Sequence, residues 1–189
     1  LADSYLKSLG YPEANPEVIT VDDGLSVPVY LEMAKSNGAP LLWVLLSASK
    51  ETDAAIMESY VFNADDVDED AAGALYVLGE KPNEDLVTKV LFGSAEPPRF
   101  IMLIGMNQIA LIDRSKWNEK RYLQFELEEI FSRLENTTLQ AMSVLLHKDS
   151  LCPDDGKVLL DELDEQSQKN ASGVSQDLKY ALRESIELL

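Results

Sequence analysis

The chain carries little with which to build reactive chemistry. Its 189 residues include one cysteine, Cys152, and one histidine, His147. A single cysteine excludes a disulfide framework and a cysteine-based zinc site, and it suits a reducing compartment, the cytoplasm. A single histidine leaves no Cys/His cluster and no Ser-His-Asp array within the chain. Cations are scarce as well. Sixteen Lys and Arg stand against 34 Asp and Glu, for a formal net charge of −18 and a pI near 4.3. So acidic a chain is poorly suited to unaided, nonspecific nucleic-acid binding, because phosphates require clustered positive charge. No apolar run approaches the ~18 residues of a membrane span, and Leu1–Gly10 lacks the apolar stretch of a signal peptide. The nine glycines form no G-x-G-x-x-G, P-loop or G-x-S-x-G motif.

What is present suits one medium domain, or a domain with an appendage. Hydrophobic residues make up 46% of the chain and charged residues 26%, enough to build a core. The richest stretch is Arg99–Arg121, RFIMLIGMNQIALIDRSKWNEKR. Phe100–Ile104 and Ile109–Ile112 are strand-length apolar runs joined at Gly105–Gln108, a Gly/Asn turn signal. Runs apolar on both faces predict a sheet covered on both sides. The segment also holds five Lys/Arg and two Asp/Glu, a local excess of three positive charges on a negative background. Asp65–Asp70, DDVDED, reads instead as a solvated acidic loop. It does not combine the sixth-position Gly and twelfth-position Glu of an EF-hand.

Leu1–Gly10 predicts an amphipathic helix stopped by Gly10. Pro12 and Pro16 bracket a connector, and Leu25–Met33 is the next strand. Ser36–Pro40, SNGAP, predicts a tight hairpin, with Asn-Gly supplying positive-φ residues, and leads into the apolar strand Leu41–Leu46. Thr52–Ser59 reads as a helical turn or connector, Ala74–Leu78 as a short strand, and Glu84–Phe92 as an amphipathic helix. After Trp117 the period turns helical, with helices expected over Phe125–Leu134, Thr137–His147, Lys157–Lys169 and Val174–Leu189. The expected fold is therefore mixed α/β, a mixed sheet flanked by helices and followed by a C-terminal helical segment. The expected division is 1–121 for the α/β domain and 122–189 for a helical connector.

A strand hairpin, a helix, then a second apolar strand pair is an order that resembles restriction-endonuclease-like domains. Such domains hold a divalent ion with an Asp early in the hairpin and a Glu-x-Lys on the following strand, whose i, i+2 spacing puts both groups on one face. The matching strand here is LLWVLLSAS, so Ser47 and Ser49 stand in the Glu and Lys places, and Asp23 is left as a stranded acid. The expectation is a degenerate nuclease site with no catalytic residue and no metal. Three later segments, RFIMLIGMNQIALIDRSKW, KRYLQFELEEIF and LLDELDEQSQKNASGVSQDLKYALRESIELL, resemble the N-terminal region of large single-chain bacterial DNA methyltransferases. These belong to the type IIG restriction-modification and phage-defence kind. The resemblance covers the second half of the chain best. It implies DNA as substrate of a longer parent, adenine methylation with S-adenosylmethionine and possibly Mg²⁺ as its cofactors, and none bound by this segment. The missing Asn-Pro-Pro-aromatic loop places that methylation site outside this sequence, and a first residue other than Met and an ending in SIELL fit a piece of a longer chain.

Arg114, Lys116, Lys120 and Arg121 are the candidate contacts to DNA phosphates; the alternative is a solvated strand exit. Trp43 and Trp117 are expected in the core. His147 is expected to complement a helix C-terminus, and Cys152 to be a small, partly buried residue. Leu178, Leu182, Ile186 and Leu189 form a helical stripe expected to dock the methyltransferase domain. Two other readings stand beside the scaffold reading. One is an active Mg²⁺ nuclease using Asp22, Asp23 and Glu32; the other is an acidic interaction module that mimics DNA.

Overall fold

A computed structural model describes residues 1–22, 25–49, 54–62, 82–133 and 135–171. Its centre is a mixed sheet in the order β3 (Leu31–Ala34), β4 (Pro40–Ala48), β6 (Phe100–Ile104), β7 (Gln108–Asp113) and β8 (Leu123–Glu126). The two-residue β5 (Tyr60–Val61) adds to the far end of β4. β4 and β6 run parallel, and the other neighbours are antiparallel. Every residue of β6 is buried, as is every residue of β4 after Pro40. The expected sheet covered on both faces is present.

Alternation along the strands sorts these side chains into two cores. Leu42, Val44, Leu46, Phe100, Met102, Ile104, Ile109 and Leu111 face one side. There they meet α1 (Ala2–Ser8), α4 (Leu127–Arg133), α5 (Asn136–Leu146) and α6 (Lys148–Leu151). Trp43, Leu45, Ile101, Leu103, Ala110 and Ile112 face the other, against α2 (Asn83–Gly93) and Trp117 of α3 (Arg114–Trp117). The antiparallel pair β1 (Glu17–Asp22) and β2 (Leu25–Val29) covers part of that second face. A last helix, α7, runs over residues 159–171.

Several expectations change. Leu25–Met33 is two strands, because Val27 and Val29 belong to one core and Leu31 to the other. A continuous strand would put all three on one face, so the chain bends at Tyr30. At the SNGAP turn only Gly38 takes positive φ, at +84°. Asn37 instead accepts from the Ala39 amide through its side chain, and the strand register slips beside the turn. The helix expected to start at Phe125 starts at Leu127, and residues 123–126 form the edge strand β8. Leu127, Met142, Leu146, Leu151 and Val158 complete the core under the sheet. Packing therefore continues across the division expected at 121/122. His147 is the C-cap residue of α5 and also the N-cap residue of α6. Its Nδ1 accepts from the Asp149 amide at 3.2 Å and caps the start of α6. Asp65–Asp70 and Ala74–Leu78 lie outside the described residues, as does the Leu178–Leu189 stripe.

Two acidic groups are buried under the sheet. Tyr11 donates its hydroxyl to the Leu146 carbonyl at 3.0 Å, and burial raises its phenol above the tyrosine range. Burial also pushes the Cys152 thiol up to about 11, with Lys148 pulling the other way. The folded chain thus keeps protons that an unfolded chain releases near pH ~8.5 and ~10. This contribution is complete below the unfolded values and is lost as pH climbs through 9 to 11. The urea midpoint is expected to fall over that interval, and less steeply in Tyr11→Phe. Native Cys152 should react with iodoacetamide at pH 8 about tenfold more slowly than in urea; equal rates would contradict the burial.

Candidate nucleic-acid interface

Asp113 ends β7 and caps α3, accepting from the Ser115 amide at 2.8 Å. That cap turns the chain, so Arg114, Lys116, Lys120 and Arg121 leave the sheet together beside Arg99, the residue before β6. Trp117 anchors the turn: it is 1% exposed, and its Nε1 donates to Thr88 Oγ1 of α2 at 3.0 Å. Lys120 takes a left-handed backbone, φ 55°, which sends the chain back toward β8. Its ammonium lies 4.6 Å from the centre of the Trp117 ring. The four expected cations follow one another on α3 and the turn after it, and this stretch is the candidate face.

That face is not bare. Arg99 donates to both Asp161 oxygens, at 2.8 and 2.5 Å, and to Asp113 at 3.4 Å, while its guanidinium stacks on the Phe100 ring. Lys116 pairs with Asp164, Lys120 with Glu84 at 2.8 Å, and Arg121 with Glu119 at 3.0 Å. Arg114 donates to the Pro97 carbonyl. Glu84, Asp161 and Asp164 come from outside the segment, and together they cancel its local excess of positive charge. The Arg99 guanidinium holds the Asp161 carboxyl below the usual range. That contact is at full strength above pH ~4 and fades as acid protonates Asp161. Exposed ion pairs of this kind contribute only about 0.2–1 kcal/mol each. Sequence order hid the acid partners, although Asp161 and Asp164 stand at i, i+3, on one helical face.

The degenerate nuclease positions lie elsewhere. Ser47 follows Leu46, which pairs with Ile104, whereas Arg99 precedes Phe100, which pairs with Leu42. At ~3.3 Å per residue the two ends are about 20 Å apart along the sheet. Ser47 is buried, and its hydroxyl accepts from Asn83 Nδ2 at 2.6 Å. The same amide nitrogen donates to the Ile56 carbonyl. Asn83 Oδ1 is buried with no hydrogen-bond partner among the described residues. Ser49, just past β4, is half-buried. Asp23 lies outside the described residues. Glu32, offered as part of an alternative acid set, accepts from Trp43 Nε1 at 2.9 Å. Among the described residues no three His, Cys, Asp or Glu side chains are grouped to hold a metal ion, and no helix is long and apolar enough to cross a membrane.

The missed residue is Asn83. Its polar side chain opens a helix whose other inward positions are apolar, and it locks α2 to the end of β4. Ser47→Ala removes one of its two acceptors and should cost about 1 kcal/mol in urea unfolding. Asn83→Asp removes both donors and buries a carboxyl, and should cost at least ~3 kcal/mol. Similar losses in the two variants would refute the structural role given to Asn83. Comparison with family models, curated proteins and solved structures found no match to this chain.

Proposed function

We propose that this chain is a non-catalytic scaffold and DNA-positioning segment of a bacterial restriction-modification or phage-defence adenine DNA methyltransferase. The order of elements supports it: the β3–β4 hairpin, the helix α2 and the strand pair β6–β7 keep the sequence order in which the resemblance to restriction-endonuclease-like domains was read. The observation that carries the reading is the Ser47–Asn83 bond. Where an ion-holding acid belongs in that arrangement, a buried hydroxyl is committed to packing a helix against the sheet. S-adenosylmethionine and Mg²⁺ would serve the parent enzyme. This segment would contribute the cation face of Arg114, Lys116, Lys120 and Arg121, which meets the duplex backbone and sets its position.

A second reading, an acidic module that occupies a basic cleft on another protein, is favoured by the carboxylate partners of Lys116 and Lys120. One titration separates the two. A fluorescein-labelled 20-base-pair duplex is mixed with the chain at 50 mM salt and followed by anisotropy. The scaffold reading expects saturable binding, weakened about tenfold or more in Lys120→Glu/Arg121→Glu. Four cations on four phosphates would lose about a hundredfold in affinity between 50 and 200 mM salt. Indifference of wild type and variant to the duplex favours the acidic module. Plasmid cleavage in Mg²⁺ or Mn²⁺ that disappears in Ser47→Ala would overturn the non-catalytic assignment.

A further inference from the structure

We infer that α7 is a removable cover at the edge of the cation face, holding with its own carboxylates Lys116 of that face and the neighbouring Arg99. The inference rests on the DNA-positioning reading and adds its regulation. Val158 is buried and Leu160 packs on the core beneath the sheet, so the helix is rooted at its first turn. From residue 161 to 171 every position is exposed except the half-buried Asp164, and Leu163 is 44% exposed. Apolar packing therefore ends where the helix begins to cross the face. Past that point Asp161 reaches Arg99 and Asp164 reaches Lys116.

This arrangement has the properties a displaceable cover needs. Its two contacts are charge pairs half open to water, so salt within a Debye length of ~10 Å weakens them. They occupy Lys116 and Arg99, and the Arg99 carbonyl accepts from the Arg114 amide, so both cations lie next to the candidate residues. A duplex presents about one phosphate per 1.7 Å of axis and releases counterions when it binds. It can outcompete two isolated carboxylates for the same guanidinium and ammonium. The root at Val158 and Leu160 stays in place, so the cover swings away without unfolding the sheet. In the free chain the face is neutral, and on a polyanion it is open. A module that belongs to an acidic protein thereby resists stray anions and still receives a duplex delivered at high local concentration.

The test uses the full chain, the labelled 20-base-pair duplex and 50 mM salt. Asp161→Asn/Asp164→Asn removes the cover contacts and keeps side-chain shape. Glu162→Gln/Glu165→Gln removes the same charge from the same helix without touching the face. The cover predicts about tenfold tighter binding in the first variant and less than twofold change in the second. Equal tightening in both variants means bulk charge alone, and it overturns the cover while leaving the DNA reading intact. The cover is likewise overturned if wild type binds, Lys120→Glu/Arg121→Glu weakens it, and the first variant matches wild type. If no variant binds and reversing the face changes nothing, the DNA reading fails and takes the cover with it.

Discussion

Because β4 and β6 lie side by side, parallel and dry on both faces, the chain between them must leave the sheet and return across it. α2 makes that return, and its Leu86, Val87, Val90 and Leu91 fill the core above Trp43, Leu45, Ile101 and Leu103. The opposite face is then left for α1, α5 and α6, whose Leu6, Leu146 and Leu151 close it. The start of α2 is fixed as tightly as its length. Asn83 and Glu84 donate backbone amides to the Ser59 and Met57 carbonyls, and the Asn83 side chain reaches Ser47. Both candidate regions inherit their positions from this pair of strands: one end carries Ser47, and the other carries Arg99 and the exit toward α3.

Charge in this molecule is organised across long stretches of chain. Read along the sequence, Arg99–Arg121 is a basic island in an acidic protein. In three dimensions it is a neutral surface, because α2 and α7 bring carboxylates to it from both directions. The individual pairs are weak, yet their number and placement decide what the face presents to a partner. An acidic chain can therefore carry a cluster of cations without a permanent positive field. On the DNA-positioning reading proposed above, such a face differs from a free basic patch in needing competition before it acts.

How far the fold could be read from the residues depended on which force dominated locally. Phe100–Ile104 and Ile109–Ile112 were legible because continuous apolar runs around Gly105 admit little besides a buried hairpin. α2, α5 and the core placement of both tryptophans followed from helical spacing and apolar neighbours. β1 was not legible from the pattern around Pro12 and Pro16, since it is held by pairing with β2 and by packing of Ile19 and Val21 on the second core. β8 was misread because Phe125, Leu127 and Ile130 also fit a helical stripe; the open edge of β7 decided in favour of a strand. The basic segment was legible as a run of residues, but its neutralisation was not, because Asp161 lies 62 residues from Arg99 and periodicity carries no information at that range. Asn83 escaped for a related reason: its two acceptors belong to β4 and to the turn at Ile56.

The buried amide of Asn83 also bears on how this module could change over generations. A substitution placing an acid at position 47 would set a carboxylate against the Asn83 side chain in a buried space, where its charge has no counterpart among the described side chains. Such a step is unfavourable alone. It becomes tolerable only if residue 83 changes too and a cation or metal enters beside them. The hydrogen bond that fastens the crossover helix thus acts as a ratchet, keeping position 47 uncharged against any single substitution.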